Sequence, residues 1–159
     1  MGITTFSGPV KVGDIKFTTG TTLGQDVANL GTVISMQSET VSQAGAGADG
    51  VYTSNIVIPA GSTITSIQLY ITAIWSGVST TLGVGTTGSA TYLTAAGAVA
   101  GGTLGIIAAT AGADATRIGN WAHVGTTDVR IKLTSTNTGT GTAVLVVGYA
   151  QNPNVTFVV

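Results

Sequence analysis

The sequence feature that most constrains this chain is a long stretch without charge. Between Asp49 and Asp114 there is no charged side chain and no histidine, a gap of 64 residues. The whole chain of 159 residues has 11 charged side chains, or 7%, against roughly 25% in an ordinary soluble domain. Charged surface keeps a free monomer soluble and limits its self-association. We therefore expect much of this protein's surface to be covered by partner molecules in an assembly.

The residues that take the place of charges favour β-structure. Glycine and threonine, with 24 and 29 residues, make up a third of the chain. Threonine is branched at Cβ and suits pleated strands, whereas glycine marks turns and loops. Because cysteine is absent, disulfides and thiolate metal sites are excluded. A net charge of −1 provides no basic surface for nucleic acid or an anionic membrane.

One stretch imitates a membrane span. Residues 93–113 are uncharged, and Gly97, Gly101 and Gly105 have the four-residue spacing of closely packed membrane helices. The stretch consists mostly of Ala, Gly and Thr, and each glycine costs about 1 kcal/mol in a helix interior. We therefore predict strands and loops here, and no association with a membrane.

From Thr32 onward the pattern is strand, turn, strand. In the clearest segment Ile67, Leu69 and Ile71 share one face, which predicts a strand with one side in the core. The loop around Asn137 is expected to form a hairpin between the last strands, and no segment has the pattern of an amphipathic helix of normal length. The predicted fold is all-β, a jelly-roll-like β-sandwich formed by residues 32–159. Its strands are predicted at residues 33–43, 52–58, 67–75, 81–84, 91–94, 104–108, 129–133, 143–149 and 155–159.

Residues 1–31 differ from the rest of the chain. They hold four of the 11 charges and show no sustained periodicity, so alone they bury too little apolar surface to offset their ordering entropy. We predict an extended N-terminal arm that contacts neighbouring subunits or partners. Its candidate contact residues are apolar and irregularly spaced: Phe6, Pro9, Val10, Ile15, Phe17, Leu23 and Leu30.

The motifs that could carry chemistry have simpler interpretations. Residues 45–50 match the glycine pattern of a dinucleotide site, but a strand is predicted after them instead of a helix. His123 is the only histidine, and nothing marks a nucleophile beside it. Trp75 is expected to end a core face and Trp121 to pack under the loop before Asp128. We expect no catalytic, cofactor-binding or metal-binding residue, and therefore no enzyme.

Several stretches resemble a known class of proteins. They are Phe6–Gly13, Gly20–Val27 and Asn120–Ile131, together with the turn Ile58–Gly61. In these the chain is similar to small virion structural proteins of tailed bacteriophages, in particular auxiliary capsid or decoration proteins of the jelly-roll type. The resemblance implies a non-enzymatic decoration, or cement, protein that binds and stabilises the major capsid lattice.

The same resemblance leaves alternatives open. A head-fibre, neck or tail component, or a fibre-tip module that binds a receptor or glycan, fits the same stretches. The implied partners are the major capsid protein and further copies of the chain, with a homotrimer suggested by threefold lattice points. No nucleic acid or membrane is expected as a partner, and no cofactor. The implied location is the exterior of the capsid, after synthesis in the cytoplasm of the host bacterium.

Overall fold

A computed structural model describes residues 33–76, 80–89, 91–135 and 138–151 of the chain. The arm of residues 1–31, with its seven candidate contact residues, lies outside the described residues, as does the predicted strand at 155–159. The described residues form eight strands, one α-helix and a short 3-10 helix at Gln43–Gly45 that follows the first strand. The strands and the α-helix are β1 (Val33–Ser42), β2 (Val51–Ile58), β3 (Thr63–Ala73), β4 (Thr81–Thr86), β5 (Val99–Ala100), β6 (Gly105–Ala108), α1 (Ala115–Ala122), β7 (Val129–Thr134) and β8 (Thr142–Gln151).

The strands form two antiparallel sheets of four strands each. The first sheet has the order β1-β8-β3-β6, and the second sheet has the order β2-β7-β4-β5. Strand β1 pairs with β8, β2 with β7, β3 with β6 and β4 with β5. The chain thus resembles one long hairpin whose two arms wrap together around a core, which is the jelly-roll arrangement. The prediction of an all-β sandwich is confirmed.

Alternation of apolar and polar residues decides which side of each strand faces the core. In β3, Ile67, Leu69 and Ile71 are buried, as the sequence predicted. In β7, Ile131 and Leu133 are buried against them from the other sheet. Each fully buried side chain of this size contributes roughly 1.5–3 kcal/mol, so the shared core is the main source of stability.

The predicted hairpin between the last two strands is wrong. Strand β7 pairs with β2 and β4, whereas β8 pairs with β1 and β3, so the loop between them crosses from one sheet to the other. A hairpin and a crossing loop need the same glycine-rich turn residues. The pairing is decided by distant strands, and the local sequence does not contain that information.

Two further predictions are corrected. Residues 91–94 form turns instead of a strand, because the backbone N–H groups of Leu93 and Thr94 both donate to the carbonyl oxygen of Val84. Helix α1 was not predicted, since it has only eight residues and includes Gly119. Asp114 begins the helix by accepting a hydrogen bond from the backbone N–H of Arg117 at 2.9 Å.

The stretch that imitates a membrane span is not helical. Residues 93–113 contain β5, β6 and the turns around them. In the described part of the chain no helix is long and apolar enough to cross a membrane.

Candidate interaction surface

The outer face of the first sheet is the most unusual surface of the molecule. No charged side chain projects from this face among the described residues, although several large apolar side chains do. Ile34, Met36 and Ile106 are 72%, 66% and 65% exposed. Ile34 and Met36 lie on β1 and Ile106 on β6, so exposed apolar side chains stand at both edges of the face. Exposed apolar surface of this kind can mark a site of interaction.

The register makes this face continuous from edge to edge. One row of directly opposed residues crosses all four strands and consists of Thr40, Val144, Tyr70 and Ile106. Directly opposed residues in antiparallel strands share one face and contact each other. The next row is equally uncharged and consists of Ser38, Val146, Gln68 and Ala108.

The outer face of the second sheet is different. Arg130 and Lys132 project from β7, and one Arg130 guanidinium nitrogen donates to the carbonyl oxygen of Ser54 at 3.1 Å and to the side-chain oxygen of Asn55 at 3.3 Å. This sheet therefore has positive charge next to its polar outer residues. The uncharged stretch supplies β3 and β6 to the first sheet and β2, β4 and β5 to the second. The charge on the outer face of the second sheet therefore comes from β7.

Polar side chains of β1 cover the edge of β2. The Gln37 side chain donates to the carbonyl oxygen of Val57 at 2.7 Å and accepts from its N–H at 3.3 Å. The Glu39 carboxylate accepts from the N–H of Asn55 at 2.5 Å and from the hydroxyl of Tyr52 at 3.1 Å. Satisfied edge groups are closed to strand addition by a partner, so contact through this edge is disfavoured.

The contact between Tyr52 and Glu39 also changes the pKa of the Tyr52 hydroxyl. Burial raises the pKa of Tyr52 above its ordinary value, and the hydrogen bond to Glu39 and its negative charge raise it further. The phenol stays protonated and continues to donate to the carboxylate. Tyr52 and Glu39 therefore join β2 to β1 across the open side of the sandwich.

The loops after β1, β3, β5 and β7 meet at one end of the sandwich, here called the closed end. Gln43 is 1% exposed, and its side-chain nitrogen donates to the carbonyl oxygens of Ser76 at 2.7 Å and Thr138 at 3.2 Å. Its side-chain oxygen accepts from the N–H groups of Ser76 at 3.1 Å and Gly141 at 3.2 Å. One buried amide therefore fastens three loops together.

The loops after β2, β4 and β6 meet at the opposite end, here called the helix end because α1 lies there. Arg117, Asn120 and Trp121 lie on one side of the helix, spaced as neighbours on a helical surface. They donate to three consecutive carbonyl oxygens, those of Thr91 at 3.4 Å, Tyr92 at 3.0 Å and Leu93 at 2.8 Å. The helix thereby holds the loop that follows β4.

The residues singled out in the sequence as possible sites of chemistry lie in separate connections of the chain. His123 ends α1, and its ring nitrogen Nδ1 accepts from the N–H of Gly125 at 3.1 Å. Residues 45–50 connect β1 to β2, and a strand follows them as predicted. The described residues contain no group of three or more His, Cys, Asp or Glu that could hold a metal ion.

One tryptophan lies in the core and the other packs against it. Trp75 is buried at the closed end, where it ends the core face of β3 as predicted. Trp121 lies on α1, packs against the core and donates to Leu93, so its principal polar contact is with the loop after β4. The uncharged face of the first sheet was not identified from the sequence, although the uncharged outward positions of β3 and β8 were a usable signal.

Two solved structures of phage capsids contain chains of similar fold. The sequence matches no protein-family model and no curated protein. A chain of the structure "Capsid of Ralstonia phage GP4" is similar in fold, with a TM-score of 0.53 and 18% identity over 76% of this chain and 86% of that chain. A chain of "Cyanophage Pam1 capsid asymmetric unit" has a TM-score of 0.50 and 19% identity over 89% of this chain and 99% of that chain. The chain therefore shares its β-sandwich fold with proteins found in the capsids of two phages.

Proposed function

We propose that this chain is a non-enzymatic structural protein of a phage virion, a decoration protein that binds the major capsid lattice from outside. The uncharged outer face of the first sheet is the observation that carries the proposal, and the fold shared with two chains from phage capsids supports it. In this role the face lies against the lattice and the charged second sheet points away from it.

The chemistry of the face suits permanent attachment. Met36 and Ile106 supply apolar area, and the threonine and serine hydroxyls between them can hydrogen bond to a partner. Burying such a face avoids the cost of desolvating ions. Because few ion pairs contribute, attachment is expected to persist in molar salt, where charge interactions are screened within about 3 Å.

The arm and the oligomer belong to the same proposal. Residues 1–31 act as a second anchor whose apolar side chains fill separate pockets on the lattice. Three copies associate around a threefold lattice point, which places three faces and three arms on one group of capsid subunits. Several weak contacts then combine into one strong attachment.

The proposal is tested by adding charge to either sheet. Met36→Glu with Ile106→Glu places carboxylates on the uncharged face, where the native side chains are so exposed that the fold has room for the change. Thr53→Glu, on the outer face of the second sheet, is the matched control. Each chain is added to phage particles stripped of the protein, and the bound copies are counted by cryo-electron microscopy.

Leaving buried charge without a partner costs about 3–5 kcal/mol, so the double variant is expected to bind at least 100-fold more weakly. Thr53→Glu should bind like the native chain. Native binding by the double variant, or loss of binding by Thr53→Glu alone, would show that the first sheet does not face the lattice.

A further inference from the structure

A cavity of about 370 Å³ opens at the helix end, away from the uncharged face. It lies between the loop after β4, helix α1 and the segment that leads into β7. Its walls combine one aromatic ring with amide, carboxylate and hydroxyl groups. These come from Thr87, Tyr92, Asn120, Thr127 and Asp128. The volume is within the range of pockets that bind small molecules.

Several polar atoms on the walls retain hydrogen-bonding capacity. One carboxylate oxygen of Asp128 accepts from the N–H of Ala60 at 2.9 Å, and the other has no partner among the described residues. The Asn120 side-chain nitrogen donates to Tyr92, while its oxygen has no partner in the described part of the chain. The Thr127 hydroxyl is likewise without a described partner. The cavity therefore offers both acceptors and a donor to a ligand.

The apolar part of the cavity consists of the ring of Tyr92, which is 44% exposed, with Val124 and Val129. The ring packs on Gly88 so closely that a Cβ atom there would lie 2.8 Å from ring atom Cε2. A glycine at this position therefore lets the ring lie against the backbone, and the rest of the ring stays accessible. Such a ring can stack against the C–H groups of a flat apolar ligand face.

The walls are held in place before any ligand binds. The hydroxyl of Thr87 accepts from the N–H of Arg130 at 2.9 Å, and α1 fixes the carbonyl groups on both sides of Tyr92. A site whose groups are already positioned loses little entropy on binding. This order distinguishes the cavity from a gap between mobile loops.

We propose that this cavity binds a neutral saccharide unit. A sugar ring has an apolar C–H face for Tyr92 and neighbouring hydroxyls for Asp128, Asn120 and Thr127. No cationic side chain is among the described lining residues, and the carboxylate repels anions. This inference does not depend on the capsid role, because the cavity and the uncharged face are separate surfaces.

The test is a titration of the ¹⁵N-labelled full chain with the methyl glycosides of glucose, galactose and mannose and with N-acetylglucosamine, followed by NMR. At least one of these should bind with a millimolar Kd and shift the amide signals of residues around the cavity. Tyr92→Ala and Asp128→Asn should each weaken binding by about tenfold, equivalent to 1.4 kcal/mol. Tyr92→Phe retains the ring and should bind like the native chain. It is the control that separates loss of the ring from loss of folding.

Tyr70→Ala is the matched control, since Tyr70 is an exposed tyrosine on the uncharged face. It should leave saccharide binding unchanged. The proposal is overturned if none of the sugars shifts the cavity signals, if Tyr92→Ala binds like the native chain, or if a sulfated sugar binds more tightly than every neutral one.

Discussion

The two ends of the sandwich are built in opposite ways. At the closed end, the buried side chain of Gln43, which is 1% exposed, fastens three loops together. At the helix end, a surface helix holds one loop through three separate hydrogen bonds and leaves a cavity beside it. The difference separates two tasks, because the closed end contributes to stability and the helix end can accept a ligand.

The largest effect is expected from Gln43→Ala. The substitution leaves two N–H groups and two carbonyl oxygens at the closed end without their partner. With roughly 1–3 kcal/mol for each desolvated group that finds no water, we expect a loss of about 3–5 kcal/mol in the free energy of unfolding. Urea denaturation measures it.

Gln37→Ala is the control for that experiment. Gln37 lies on β1, the strand that precedes Gln43, and also bonds backbone groups, but at the partly exposed edge of the sandwich. Water can replace its contacts, so we expect a loss of about 1 kcal/mol. Equal losses from the two variants would show that the closed end has no special role.

Adding a methyl group through a Gly→Ala substitution should destabilise the protein at the closed end and stabilise it at the helix end. In Gly141→Ala the new Cβ would lie 2.7 Å from the Cα of Trp75, so the closed end must shift, at a cost of about 2–3 kcal/mol. In Gly119→Ala, within α1, the Cβ meets nothing within 4 Å, and a gain of about 0.5–1 kcal/mol is expected. Thermal melting of both variants measures these changes in stability. A lower melting temperature for Gly119→Ala would contradict the open space around Gly119.

A smaller effect is expected from Trp121→Phe. The ring remains against the core, but the hydrogen bond to Leu93 is lost, at a cost of about 1 kcal/mol. Hydrogen exchange should accelerate at the N–H groups of Leu93 and Thr94, which bond to Val84. Ile118→Ala, on the same helix and without such a bond, should leave that exchange unchanged.

The smallest effect is expected at Tyr52, which joins β2 to β1 at the edge of the sandwich and lies at neither end. The pKa of Tyr52 is raised in the folded protein above 10.0, so its contribution is complete below about pH 10 and is lost as the pH rises through the folded-state value. The contribution is below about 1 kcal/mol, because the phenol is partly exposed and solvent screens it. The melting-temperature difference between native protein and Tyr52→Phe should therefore narrow above pH 10, and a difference that widens there would have the wrong sign.

The sequence predicted the parts of this molecule that depend on local alternation. Strand β3 and its buried face follow from a period of two over Ile67–Ile71, and β7 follows in the same way. The crossing of the last loop and the role of Gln43 could not be predicted, because both depend on residues brought together from distant parts of the chain. Helix α1 was not predicted because its eight residues make only about two turns, too few to show a repeating apolar pattern.

The candidate surfaces likewise depend in part on local sequence and in part on contacts between distant residues. Low charge correctly indicated an unusual surface, but only the register shows that Thr40, Val144, Tyr70 and Ile106 form one row. The cavity was not predictable, since Tyr92 and Asp128 are 36 positions apart in the sequence and line one cavity only in the folded chain.

The pairing of the first strand with the last also determines when the protein can fold. Strand β8 lies between β1 and β3, so the first sheet lacks one of its two inner strands until residue 151 has been synthesised. Until then, the sides of β1 and β3 that β8 will cover are open to other chains. Topologies dominated by such distant pairings fold slowly, on a scale of roughly milliseconds to seconds. The core is therefore complete only after residue 151 has been synthesised, and before that point the uncovered strand edges favour aggregation.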